Sequence, residues 1–139
     1  MQFGYSFRFA EAPRHPWIII SSPDSNGGWI VMVNLTDITN TRWAEECVVV
    51  PKDWPSVITK KSNVAFAGAQ GPHGPEKKAG LLEAILNPKA EILSMPPDPL
   101  LRKITVAALG SDFLSPAQKK WVVRMPDAPT EVDAGPFTA

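Results

Sequence analysis

Two apolar runs on either side of a polar turn constrain the fold of this chain more than any other feature. Residues 17–20 and 30–33 are apolar at every position, and the segment SSPDSNGG between them is rich in turn-forming residues. A strand with one buried face alternates apolar and polar residues, so a continuous apolar run indicates burial on both faces. The sequence therefore predicts two paired strands covered on both sides, either by closure of the sheet or by packing under helices and a partner subunit.

The rest of the first half has the same strand-like texture. Runs rich in valine, isoleucine and aromatic residues are separated by turn residues, and no helical period appears among them. The predicted strands are residues 17–21, 29–35, 47–50, 57–59 and 64–67. We expect a small antiparallel sheet or barrel over residues 14–70.

The second half carries helical patterns. A first helix within residues 76–87 has an apolar stripe made of Leu81, Leu82, Ile85 and Leu86. A second helix has Asp98 as its N-cap and ends at Gly110, and its apolar set is Leu100, Leu101, Ile104 and Ala108. Ser115 and Pro116 begin a short third helix, or a helix that turns into a final strand around residues 121–123. Together the two halves predict an α+β fold with two or three C-terminal helices.

Length and composition favour one domain. A chain of 139 residues with 44% hydrophobic and 20% charged residues is typical of a globular domain that folds without disulfides or a structural metal. We expect one compact domain over residues 1–126, with the sheet in residues 14–70 and the helices in residues 75–124. Residues 127–139 contain three acidic residues and no basic one, which predicts a flexible acidic tail.

Several classes of protein are disfavoured. Fourteen basic residues balance fourteen acidic ones, so no global positive charge indicates nucleic-acid binding. No signal-peptide pattern and no membrane-spanning run is present, so we expect a cytoplasmic protein without a membrane partner. Cys47 is the single cysteine; its apolar neighbours predict a buried, unreactive thiol. Phosphate-binding glycine loops, metal-ligand spacings and nucleophile elbows are missing, so we expect no cofactor and no metal.

What remains is a set of acid-base and hydroxyl groups around the predicted sheet. Arg14 and His15 enter the first strand, while Thr36, Asp37 and Thr39 leave the second. If these strands pair as a hairpin, His15 and Thr36 lie at the same end of the sheet. Histidine can accept or deliver a proton near neutral pH, arginine offers two parallel donors to a phosphate, and a hydroxyl can hold a phosphate oxygen.

Three segments of this half resemble the PemK/MazF-like toxins. The stretches RHPWIIISSPD and WIVMVNLTD are similar to the opening of that family, in which a basic residue and a proline precede a buried strand and a second strand ends in a threonine-containing motif. ITKKSNVAFAGAQ looks like its later segment. The resemblance covers residues 14–70 and implies an SH3-like barrel, often a homodimer, that cleaves single-stranded RNA without a metal and leaves a cyclic phosphate.

The resemblance also implies a site. His15, with Arg14 beside it, takes the place of the family's basic residue, and Thr36 that of its hydroxyl; these three are the expected catalytic residues. The expected RNA-binding residues are Lys60, Lys61, Ser62 and Trp43. A cognate antitoxin or another protein is the expected partner. The chain departs from the family in placing histidine, not arginine, directly before the proline, and in its helix-rich second half.

Other interpretations of the same residues stay open. His15 and Thr36 can simply hydrogen-bond to the backbone at strand ends, and Lys60 with Lys61 can be a solvated pair. Trp17 and Trp29 fit a core, whereas Trp43 and Trp54, with polar neighbours, fit a partner surface. Besides the ribonuclease, the sequence is compatible with a non-catalytic barrel that binds a protein, and with a phage or plasmid accessory protein that assembles into oligomers.

Overall fold

The computed structural model describes residues 2–38 and 46–125 and shows an α+β fold. Its strands are β1 (Ser6–Arg8), β2 (Trp17–Ile19), β3 (Ile30–Asp37), β4 (Val48–Val49), β5 (Ser62–Val64), β6 (Gln70–His73) and β7 (Glu91–Ile92). Its helices are α1 (Pro23–Asn26), α2 (Pro75–Ile85), α3 (Asp98–Gly110) and α4 (Pro116–Trp121), with short 3₁₀ turns at Pro51–Asp53 and Phe66–Gly68. No helix in these residues is long and apolar enough to span a bilayer.

The strands form one antiparallel, open sheet around β3. The strand order is β4-β5-β3-β2-β1-β7, and β6 pairs with the beginning of β3. The hairpin predicted from the two apolar runs is confirmed, with Trp17 opposite Asn34 and Ile19 opposite Met32. The closed SH3-like barrel is not confirmed, because within the described residues the strand order ends at β4 on one side and β7 on the other.

Both faces of the hairpin are buried, as its continuous apolar runs predict. Successive residues of β3 point to opposite faces, so Val31 and Val33 pack into one core together with Ile104 of α3. Ile30 and Met32 pack into a second core that includes Phe7, Ile19 and Ile85 of α2. Helices therefore cover the sheet on both sides, which is one of the two arrangements the sequence allowed.

The C-terminal helices follow the sequence prediction closely. α3 begins one residue early, at Asp98, and buries all four members of its expected apolar set. Ser115 caps α4 by accepting a hydrogen bond from the Gln118 backbone, and Val122 then forms a bridge with Ser21, the expected turn into a strand. The stripe expected on α2 is narrower, since Ile85 is buried but Leu86 is 75% exposed.

Other local predictions are wrong. Residues 57–59 do not form a strand, because Val57 ends a turn and the next two residues are irregular, although Val57 and Ile58 are buried. The segment SSPDSNGG contains α1, which Gly27 ends in a left-handed conformation at φ 88°. Strand β1 was not expected. The expected acidic tail at 127–139 lies outside the described residues.

Candidate functional site

The hairpin register brings His15 next to Thr36. Trp17 lies opposite Asn34, and the Leu35 backbone N–H donates to the Pro16 carbonyl oxygen at 3.0 Å. One residue further out, His15 and Thr36 line the same cleft of about 380 Å³, which we call the His15 cleft. Its polar lining residues are Arg8, His15, Thr36, Asp37, Thr59, Lys60 and Ser62. The two halves of the expected site therefore meet where the sequence predicts.

The remaining wall of the His15 cleft is apolar. Leu35 contributes from β3, and Val57 and Ile58 contribute from the irregular segment found in place of the expected strand. These side chains belong to the core beneath the sheet. An apolar wall lowers the local dielectric response, so charged groups in the cleft interact more strongly with a bound anion than they would in open solvent.

Two cations reach the His15 cleft from separate parts of the chain. Lys60 Nζ lies 2.6 Å from Asp37 Oδ2 at its rim, and both side chains are partly solvated. Arg8 comes from β1, and its Nη1 donates to Glu91 Oε1 at 3.2 Å. A guanidinium, an ammonium and an imidazole around one cleft fit a phosphate group, with the Asp37 carboxylate holding Lys60 in place.

Three hydroxyl groups line the cleft; that of Thr59 is exposed, and those of Ser62 and Thr36 have different surroundings. Ser62 Oγ donates to the Lys60 carbonyl oxygen at 2.9 Å, so it stabilises the turn that leads into β5. Thr36 is only 4% exposed, and its buried Oγ1 has no hydrogen-bond partner in the described part of the chain. Buried hydroxyls without a partner are rare in folded proteins, because each costs about 1–3 kcal/mol. Thr36 therefore supplies the buried hydroxyl of the cleft that has no partner among the described residues.

Arg14 lies outside the His15 cleft. Its Nε donates to the Phe9 carbonyl oxygen at 2.9 Å, and its Nη2 donates to the Lys89 carbonyl oxygen at 3.1 Å. Glu91 Oε1 lies 3.9 Å away. These contacts tie the β1–β2 loop, which carries His15, to the segment before β7, so Arg14 holds the loop and Arg8 supplies the guanidinium of the cleft.

The other expected site residues are scattered. Lys61 is exposed and does not line the cleft, and Trp43 lies outside the described residues. Trp54 was expected on a partner surface, but this is wrong: it is 1% exposed, in the core. Cys47 is buried as predicted, and burial raises the pKa of its thiol to about 11, which keeps it protonated and unreactive at neutral pH.

Arg8 is the site residue that sequence reasoning missed. Its strand does carry a signal, since Tyr5, Phe7 and Phe9 alternate with Ser6 and Arg8. The three aromatic rings pack in series, with centroids 6.1 Å and 5.0 Å apart. That alternation marks a strand with Arg8 on the face opposite the aromatic residues.

No set of three or more metal-ligating side chains is arranged to hold an ion within residues 2–38 and 46–125. Comparison of the chain with protein-family models, with curated proteins and with solved structures gives no match.

Proposed function

We propose that the His15 cleft binds the backbone of single-stranded RNA and cleaves it, as a toxin-like endoribonuclease that works by acid-base chemistry without a metal. The observation that carries the proposal is the meeting of His15, two cations and an unpartnered hydroxyl in one cleft. The resemblance of residues 14–70 to PemK/MazF-like toxins supports it. On this proposal the protein acts in the cytoplasm as a homodimer and is held in check by a cognate antitoxin.

The proposed reaction needs only groups that the cleft and the RNA supply. The 2′-hydroxyl of the substrate gives its proton to His15 while its oxygen forms a bond to the adjacent phosphorus. The bond from phosphorus to the 5′-oxygen breaks, and a proton from water completes the 5′-hydroxyl. The other product is a 2′,3′-cyclic phosphate, and protonated His15 returns its proton to solvent.

The other residues of the cleft stabilise the phosphate in this scheme. Arg8 and Lys60 face the negative charge that grows on the nonbridging oxygens, and the Thr36 hydroxyl donates to one of them. Each cation that contacts a phosphate adds to the salt dependence of binding to single strands by a slope of about 0.7. Replacing Lys60 with Gln is therefore expected to weaken binding and to lower that slope by about this amount.

The experiment compares the two histidines of the chain. End-labelled single-stranded RNA is incubated with the wild type, with His15→Ala and with His73→Ala, a control because His73 lies in β6 outside the cleft. We expect cleavage to a cyclic phosphate by the wild type and His73→Ala, and a loss of about a hundredfold or more in His15→Ala. DNA of the same sequence should stay intact, since it lacks the 2′-hydroxyl. Full activity of folded His15→Ala, or none in the wild type, overturns the proposal.

A further inference from the structure

A second pocket adjoins the His15 cleft and shares His15 with it. This pocket, which we call the Asn34 pocket, has a volume of about 310 Å³, and its lining includes Phe9, Glu11, His15, Trp17 and Asn34. The volume is at the lower end of the range for small-molecule sites. Apart from the shared histidine, its lining residues are not those of the His15 cleft.

Asn34 lies two residues before Thr36 on β3, so the two residues share a face at a spacing of about 7 Å. Its Oδ1 is buried and, like Thr36 Oγ1, has no hydrogen-bond partner among residues 2–38 and 46–125. A half-turn of the amide exchanges its oxygen and nitrogen, so the side chain can present an acceptor or a donor to the pocket. Two unpartnered polar groups therefore lie side by side, one in each of two pockets separated by His15.

The aromatic side chains of the Asn34 pocket suit a planar ligand. The rings of Phe9 and Trp17 lie with centroids 6.2 Å apart at an interplanar angle of 65°, and both side chains are partly exposed. Proteins that recognise single-stranded RNA stack bases on such rings and read the base edges with side-chain amides and carboxylates.

We infer that the Asn34 pocket binds the nucleobase next to the phosphate held in the His15 cleft, and that Asn34 selects that base. The inference rests on the proposed function, because the cleft supplies the phosphate that places the base. Glu11 is exposed in the pocket and is a hydrogen-bond acceptor when ionised. Adenine and cytosine carry an amino group beside a ring nitrogen that accepts, whereas guanine and uracil carry a carbonyl oxygen beside a ring N–H. One amide pairs with either arrangement, but in opposite orientations, so an amide held in one orientation separates these two classes of base.

Binding is measured separately from cleavage by blocking the nucleophile. Labelled pentamers of sequence UUXUU with 2′-O-methyl riboses, in which X is each of the four bases, are titrated against the intact chain by fluorescence anisotropy. We expect one of the two classes at X, adenine and cytosine or guanine and uracil, to bind about tenfold or more tightly than the other. Asn34→Leu should bind all four alike, and it should fold, because it removes an amide whose oxygen has no partner.

Thr36→Val is the matched control, since it changes the next residue along the same face of the same strand. It should weaken binding of all four pentamers by a similar factor and keep the preference between the two classes of base. Equal affinities for the four pentamers in the wild type, or a preference that survives in Asn34→Leu, overturn the inference while leaving the cleavage assay to decide the function. Asn34-dependent preference without cleavage of ordinary RNA by the wild type upholds the pocket and overturns the ribonuclease.

Discussion

The buried polar side chains at the two ends of β3 differ in their hydrogen bonding. At the end near Ile30, Ser21 Oγ accepts from the Val31 N–H at 2.9 Å and donates to the Trp29 carbonyl oxygen at 3.0 Å. Asn26 completes this closed end, because its side chain bonds to the backbone of Gly28 and Trp29. Ser21 therefore links the residues after β2 to β3, and Asn26 links α1 to the turn before β3.

The end near Asp37 is the open end. There Asn34 and Thr36 each carry a buried oxygen without a partner in the described part of the chain, and each lines a pocket. An unpaired buried polar group costs stability, whereas a paired one adds to it. The closed end therefore stabilises the hairpin, whereas the open end leaves two buried oxygens without a described partner at a cost in stability.

The largest expected effect is a loss of stability caused by adding a methyl group to Gly71, which lies against the closed end. Gly71 has φ 105°, and a Cβ there would run into the Ile30 carbonyl oxygen of β3. Gly71→Ala should therefore lower the free energy of unfolding by about 3 kcal/mol or more, measured by urea denaturation. Gly27→Ala is the control: its φ is 88° but nothing lies within 4 Å of the added Cβ, so a loss of about 1 kcal/mol is expected. Equal losses would contradict the close packing of β6 on β3.

A smaller loss should follow from removing the hydroxyl that satisfies the closed end. Ser21 is fully buried, and Ser21→Ala leaves the Val31 N–H without its acceptor. The expected loss is about 2 kcal/mol of unfolding free energy. Ser22→Ala is the matched control, because the Ser22 hydroxyl bonds only to Ser25 Oγ at an exposed position. Equal losses of unfolding free energy in the two variants would show that the buried hydrogen bonds of Ser21 do not stabilise the closed end.

The hairpin could be predicted from sequence because its signal is local. Continuous apolar runs require two covered faces, and a short connection makes adjacent strands pair, which places His15 beside Thr36. The same applies to α3 and α4, whose caps and apolar spacing lie within the helices themselves. What could not be predicted is which of several suitable side chains enters the site.

Arg8 and Arg14 show why the sequence does not reveal which side chain enters the site. Arg14 is next to His15 in sequence, yet its guanidinium contacts Lys89, 75 residues away, and Arg8 reaches the cleft only because β1 pairs with β2. The strand predicted at residues 57–59 is wrong for a related reason, since Val57 and Ile58 are apolar and β-branched but bury their side chains from a segment without regular structure. Tertiary contacts overrode local preference at these positions.

Loosening the loop at the open end should have a modest effect on stability. Arg14→Lys keeps the charge but loses the two-armed contact with the Phe9 and Lys89 carbonyl oxygens. We expect a loss of about 1 kcal/mol in unfolding free energy, and slower RNA cleavage because the loop carries His15. Arg124→Lys, at an exposed position, should change neither quantity. Unchanged cleavage by Arg14→Lys would show that the loop is held without this contact.

The smallest effect has the opposite sign and separates the two ends most directly. Thr36→Val replaces a buried hydroxyl that has no described partner with a methyl group, so the free energy of unfolding should rise by up to about 1 kcal/mol. The matched control is Thr105→Val, because the buried Thr105 hydroxyl donates to the Leu101 carbonyl oxygen at 2.9 Å. That variant should lose stability. Thermal and urea denaturation measure the stability of both variants, and RNA titration measures their binding.

A gain in stability together with weaker RNA binding in Thr36→Val is the result that the open end predicts, since the hydroxyl then costs folding energy and contributes to ligand binding. Loss of stability equal to that of Thr105→Val would mean that the Thr36 hydroxyl is already satisfied in the folded protein. In that case the buried polar groups at both ends of β3 are hydrogen-bonded. Arg8 and Lys60 would then remain as the proposed phosphate ligands beside His15, without the Thr36 hydroxyl.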